Sequence, residues 1–219
     1  MTITPSNGPA PAGQPDSTFH PAPRFRINYH DRISLILTLV VTAVALLAGL
    51  ALRGAVESRM KTYRTPTGVT LQYPDTWRLN TADAANGIVS MQDSAAQRFA
   101  TTLELGILKV DASVRDSEAL AFAANQLALN RGRDLTAFKV FGISPGQTVK
   151  GLPGASSSFV YVSDTGDVLQ DALPVVVLGD DVLVRQGGTV YVFTALSTED
   201  NHALASSQLK TFVDSAQLP

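Results

Sequence analysis

The 219-residue sequence predicts an α+β fold: an antiparallel β-sheet flanked by helices, preceded by one transmembrane α-helix and a disordered, proline-rich N-terminal tail. Three observations carry this. Ile33 to Leu52, ISLILTLVVTAVALLAGLAL, is a run of twenty residues without charge or proline. At about 1.5 Å of rise per residue it makes a helix of roughly 30 Å, the thickness of a bilayer's hydrocarbon core. After Thr65, short apolar runs of strand period follow one another across turns rich in Gly and Asp, and two longer segments carry helical spacing.

The tail and interfacial anchor occupy residues 1–32, the transmembrane helix 33–52, a juxtamembrane helical stalk 53–64 and the α+β domain 65–219. Six prolines among Ser, Thr, Gly, Asn and Gln in residues 1–24 bury too little surface to offset ordering entropy, so this segment is expected to be extended or disordered alone. Arg26, Tyr29, Arg32 and Arg53 bracket the span as membrane-interface residues, rings at headgroup depth and cations facing lipid phosphates. A cleaved signal usually has an apolar core of about 7–15 residues close to Met1. Here the run is longer and begins after residue 32, so a retained anchor is expected.

Within the span, Ser34, Thr38, Thr42, Ala45 and Gly49 share an arc of about 80° at 100° per residue. Small residues on one stripe admit a second helix closely, which makes this face a candidate helix-packing seam. Arginines 24, 26 and 32 precede the span, while Arg53, Arg59, Lys61 and Arg64 follow it, so charge does not decide the topology. Opposite-charge pairs Arg53/Glu57 and Glu57/Lys61 at i,i+4 extend the helix as the stalk.

In the domain, strands are expected at 69–73, 87–93, 101–110, 137–143, 155–164, 172–179, 181–186 and 189–197. Gly179-Asp180-Asp181 and Gly187-Gly188 read as tight hairpin turns of a meander. A helix is expected from Asp116 or Ser117 to Asn130-Arg131-Gly132, with Leu120, Ala124, Leu127 and Ala128 as its core face. A last helix over 198–216, bent near Ser206-Ser207, has Ser197 to Asp200 as its capping box.

Net charge is −2 overall, but residues 1–64 carry +4 and residues 65–219 carry −6. An acidic domain repels phosphate backbones, so no nucleic acid partner is expected. The absence of cysteine excludes disulfides, thiolate metal sites and cysteine nucleophiles. His202 is the domain's sole histidine, no G-x-S-x-G or phosphate-loop pattern occurs, and His202 is expected on a solvated helix face. Asp164, Asp167 and Asp171, with Asp180 and Asp181, offer oxygen ligands of the kind Ca²⁺ takes but lack EF-hand spacing, so turn-forming acids are the expectation. Tyr73, Trp77, Phe138 and Phe141 are weighed as the lining of an apolar cavity, with core packing as the commoner use.

The opening GVTLQYPDTWRL (68–79) and the close GGTVYVFTALSTEDNHALASSQLKTFVDSAQL are similar to the PsbP-like superfamily, with its strand, Tyr-Pro turn, Trp and final strand-plus-helix. The resemblance implies an antiparallel sheet flanked by helices. Members are mostly extracytoplasmic or lumenal accessory proteins bound to large complexes, the photosystem II extrinsic subunit among them, with a nuclear relative that binds a small GTPase. The resemblance implies protein binding without chemistry of its own. With the apolar span, in which this chain departs from the family, the expected function is a non-enzymatic, single-pass membrane protein without cofactor, an accessory or scaffold subunit whose partners are membrane lipids and integral membrane subunits of a larger complex. The implied location is the cell membrane, N-terminus cytoplasmic and domain extracytoplasmic. The alternative is a membrane-tethered binding domain for a small ligand.

Overall fold

The computed structural model describes residues 29–57, 59–95, 99–163 and 174–219. Helix α1 spans Tyr29–Glu57. Its ten large apolar residues from Leu35 to Leu50 are each between 50% and 67% exposed. The hydroxyls of Thr38 and Thr42 donate to the carbonyls of Ser34 and Thr38, at 2.9 and 2.8 Å, so the helix's own backbone satisfies them. Among the described residues no helix is long and apolar enough to cross a membrane. The positions of α1 whose side chains are described run from 34 to 50, about 26 Å at 1.5 Å per residue.

The expected stalk does not extend to Arg64. Helix α1 ends at Glu57, and β1 (Met60–Arg64) pairs antiparallel with β2 (Thr70–Pro74). Lys61 forms its ion pair with Asp75, and Tyr63 packs against the core. An exposed i,i+4 pair contributes only about 0.2–0.5 kcal/mol, too little to outweigh a ladder and a buried ring.

The remaining strands form one seven-stranded antiparallel sheet in the order β3-β4-β5-β9-β8-β7-β6. They are β3 (Trp77–Asn80), β4 (Val89–Asp93), β5 (Thr102–Lys109), β6 (Thr136–Val149), β7 (Leu152–Ser163), β8 (Val175–Gln186) and β9 (Thr189–Thr198). The meander from β6 to β9 is therefore present. Its turns differ from expectation at one place: Gly179, Asp180 and Asp181 lie in the middle of β8, paired with Phe159, Ser158 and Ser157 on β7. The connection from β7 to β8 falls within 164–173, outside the described residues. The β6–β7 hairpin turns at Lys150-Gly151, both in the left-handed region. Lys150 donates to the carbonyls of Asp214 and Ala216, which ties this turn to the end of the last helix.

Two helices cover opposite faces. Helix α2 (Asp116–Asp134) lays Leu120, Ala123 and Ala124 on Ala155, Leu183, Val190 and Val192. It runs to Asp134, two residues past Asn130-Arg131-Gly132, the expected stop, and the Leu135 N–H closes it on the Arg131 carbonyl. Helix α3 (His202–Ser215) buries Leu209, Phe212 and Val213 on the other face, with Phe212 edge-on to Phe193 at 5.7 Å. It continues through Ser206-Ser207 and is entered by a 3₁₀ turn over Glu199–Asn201. No capping box forms: neither Thr198 nor Asn201 makes a side-chain bond to the backbone of the turn that it caps, and Ser197 is buried in β9.

The four aromatic residues weighed as a cavity lining are separated by the sheet. Tyr73 and Trp77 belong to the α3-side core, Phe138 packs with Phe159 on the α2 side at 5.6 Å, and Phe141 is 61% exposed. Gly179 explains how Phe159 fits: a Cβ there would lie 2.2 Å from the Phe159 Cζ. Gly179→Ala is expected to destabilise the domain by about 3 kcal/mol through overpacking, read as a lowered urea midpoint at unchanged slope.

Candidate functional site

Side chains alternate across a strand, so the adjacent carboxylates of Asp180 and Asp181 point to opposite faces of the sheet. Asp180 faces α3. It accepts hydrogen bonds from Ser206 and Ser158, each at 2.7 Å, and His202 Nε2 lies 3.6 Å away. His202 is thus half-buried against a carboxylate and not on a freely solvated face.

Asp181 faces α2 and is 2% exposed. Arg131 grips it bidentately, Nη1 to Oδ2 at 2.6 Å and Nη2 to Oδ1 at 2.9 Å. Thr194 and Ser157 donate to the same carboxylate at 2.7 and 2.9 Å, and the guanidinium lies 4.1 Å from the Phe159 ring centroid. A buried ion pair is tolerable only when its remaining lone pairs are satisfied in this way. At the other end of α2 the polarity is reversed: Arg185 of β8, 3% exposed, lies 3.1 Å from Asp116 and donates to the carbonyls of Asp111, Ala112 and Gly187. Helix α2 is therefore pinned along β8 at both termini, acid at its start and base at its end, as its macrodipole favours.

Next to this pair stands Glu104, on β5 opposite Thr194 of β9. Burial pushes its carboxyl pKa above the usual range; Arg131 opposes the shift and Asp181 adds to it. Tyr161 on β7 is pushed up to about 12 by burial first and Glu104 second, with Arg131 opposing. Because α2 packs against β6 to β9, it leaves an open cleft of about 390 Å³ over β5. Glu104 and Gly106 form its floor, Leu127, Asn130 and Arg131 of α2 one wall, and Ile88 the other.

Of the residues singled out from sequence, Ser34, Thr38, Thr42, Ala45 and Gly49 all lie in α1 with exposed side chains. Arg26 and the side chains of Tyr29, Arg32 and Arg53 lie outside the described residues, as do Asp164, Asp167 and Asp171. Asp180 and Asp181 are committed to opposite faces of the sheet and do not converge on one ion. Among the described residues no group of three His, Cys, Asp or Glu is placed to hold a metal. Sequence reasoning missed Arg131, Asp181 and Glu104. The available signal was the strand-like VVVLGDDVLV, in which two acids sit within a run of β-branched residues.

Among solved structures the chain is similar to cyanobacterial PsbP (CyanoP) from Synechocystis sp. PCC 6803, at a TM-score of 0.51 and 12% identity, covering 73% of this chain and 92% of that one. The domain has a PsbP-like fold. More distant similarities to this PsbP-like domain are LpqN of Mycobacterium tuberculosis, described as involved in cell envelope biogenesis, and the Ran-binding protein Mog1p of Saccharomyces cerevisiae. LpqN gives a TM-score of 0.46 at 16% identity, over 74% of this chain and 91% of LpqN. Mog1p gives 0.43 at 13%, over 73% and 95%. No protein-family model and no curated protein sequence matches the chain.

Two outcomes are expected from the PsbP-like domain's polar cluster. Asp181→Leu strands the Arg131 charge and is expected to cost about 3–5 kcal/mol, while the double variant Arg131→Met/Asp181→Leu recovers at least half of it in chemical denaturation. For Glu104 the folded carboxyl titrates above its unfolded value near 4.5. Its contribution to stability is full below that pH and is lost as pH rises through the folded pKa. Glu104→Gln is therefore expected to raise the melting temperature at pH 7 by about 2–4 °C and to leave it nearly unchanged at pH 4.

Proposed function

We propose that this chain is a single-pass membrane protein without enzymatic activity, whose PsbP-like domain is an accessory or scaffold unit of a larger membrane complex. The observation that carries the reading is α1, whose large apolar residues from Leu35 to Leu50 cover roughly two thirds of its circumference, the rest being the stripe of small residues. Leu35, Ile36 and Leu37 point in three directions about 100° apart and are each more than 60% exposed. A helix with exposed large apolar residues over so wide an arc needs an apolar surrounding, since each exposed Leu or Ile forgoes about 1.5–3 kcal/mol of burial. The proposed span, Ile33 to Leu52, extends the described positions 34–50 by one residue before and two after, all of them uncharged. Backbone-satisfied Thr38 and Thr42 suit the same surrounding, and the stripe they share with Ser34, Ala45 and Gly49 is the proposed face toward a partner helix. The proposed topology, tail in the cytoplasm and domain outside, rests on the PsbP-like resemblance, because the flanking charges do not decide it and lean slightly the other way.

A second reading, a membrane-tethered domain that binds a small ligand, is favoured by the cleft over β5. Native sizing after mild detergent extraction separates the two. A particle far heavier than the 23.2 kDa chain plus its micelle supports the accessory subunit, and a lone monomer overturns it. For the seam, single cysteines at positions 42, 45 and 49 are expected to crosslink to a partner in the membrane. Equal crosslinking from position 46 removes the seam.

A further inference from the structure

We propose that the cleft between α2 and β5 is a binding site for a small organic cation, an ammonium group on an aliphatic body, with the Glu104 carboxylate as its counter-ion. This deepens the second reading above and is independent of the membrane anchor. Its volume of about 390 Å³ lies in the range of small-molecule sites.

The choice of a cation follows from how the neighbouring charges are spent. Arg131 is the cation nearest the carboxylate, but its two Nη atoms are committed to Asp181 and Thr194. With Glu104 ionised, the trio of Glu104, Asp181 and Arg131 carries a net charge of −1. Among the described residues no side chain donates a hydrogen bond to the Glu104 carboxyl, although β9, β8, β7 and α2 bring Thr194, Asp181, Tyr161 and Arg131 to its surroundings. An anionic ligand would meet two carboxylates. A neutral apolar ligand would bury Glu104 further without pairing it, at the cost of its desolvation. An ammonium supplies three donors and the missing charge, and Asn130 at the rim has an amide oxygen to accept from it.

The aliphatic body follows from the walls. Ile88, Leu108 and Leu127 line the cleft, and Gly106 leaves its floor open. A Cβ at Gly106 would meet only Val192, at 3.8 Å, and its φ lies outside the left-handed region. Gly106→Val therefore has room for its Cβ, adds two methyl groups to the floor and keeps the carboxylate.

The test is calorimetric titration of the full chain in detergent micelles at pH 8, against a micelle blank, with butylammonium, 1-butanol and butyrate. Butylammonium is expected to bind at least about tenfold more tightly than 1-butanol, the worth of one charge-assisted contact, and butyrate not at all. Glu104→Gln and Gly106→Val are each expected to abolish that preference, with both variants shown to be folded by their melting transitions. Equal binding of 1-butanol, or full binding by Glu104→Gln, overturns the cation site while leaving a ligand cleft. Binding of none of the three overturns both the site and the small-ligand reading.

Discussion

Two consecutive carboxylates in the middle of β8 hold the three layers of the domain together. Alternation along a strand sends Asp181 to α2 and Asp180 to α3, so a single dipeptide ties a helix to each face of the sheet. The two ties are unequal. Asp181 is nearly inaccessible and meets four donor contacts from three elements, so its desolvation is offset only while all of them are present. Asp180 is half-buried and held by hydroxyls and a histidine, a looser arrangement better screened by water. Gly179 belongs to the same device, because the Phe159 ring that floors the Arg131 guanidinium occupies the space its side chain would fill.

The position of α2 then decides what is left open. Pinned along β8 by Asp116 at one end and Arg131 at the other, the helix lies mainly over β6 to β9 and reaches β5 only at Leu108. The α3 face is closed differently, by a continuous apolar core that takes in β2, β4, β5, β9 and the terminal helix. Glu104 lies at the boundary on the open side. It is close enough to the buried pair to feel both charges, and its own pKa is raised chiefly by loss of water. An ionisable group at the edge of a cleft, beside a cation already spent elsewhere, is a site that lacks a positive charge.

Helix α1 poses a separate physical problem. The hydroxyls of Thr38 and Thr42 are satisfied by its own backbone and its large apolar side chains from Leu35 to Leu50 are exposed, whereas α2 and α3 each bury an apolar stripe on the sheet. The domain buries an apolar core of its own, whereas the large apolar side chains of α1 from Leu35 to Leu50 are exposed. This difference in how apolar surface is covered, more than any motif, underlies the proposal of a tethered accessory domain.

By itself the sequence determined the α+β class, the meander, the existence of both domain helices and the apolar run, since all of these are local. They depend on side-chain period and turn chemistry, which neighbours in the chain decide. The core positions Leu120 and Ala124 were legible for the same reason. Residues 60–64 and 179–181 were misread where a local signal competed with a distant one. Charge pairs at helical spacing lost to a ladder with β2, and a Gly-Asp-Asp turn signal lost to a bond with Arg131, fifty residues away. The capping-box pattern at Ser197 lost in the same way, to burial in β9. Only the tertiary structure placed Arg131, Asp181 and Glu104 together, because α2, β8 and β5 meet through sheet pairing and helix packing and no spacing along the chain encodes that meeting.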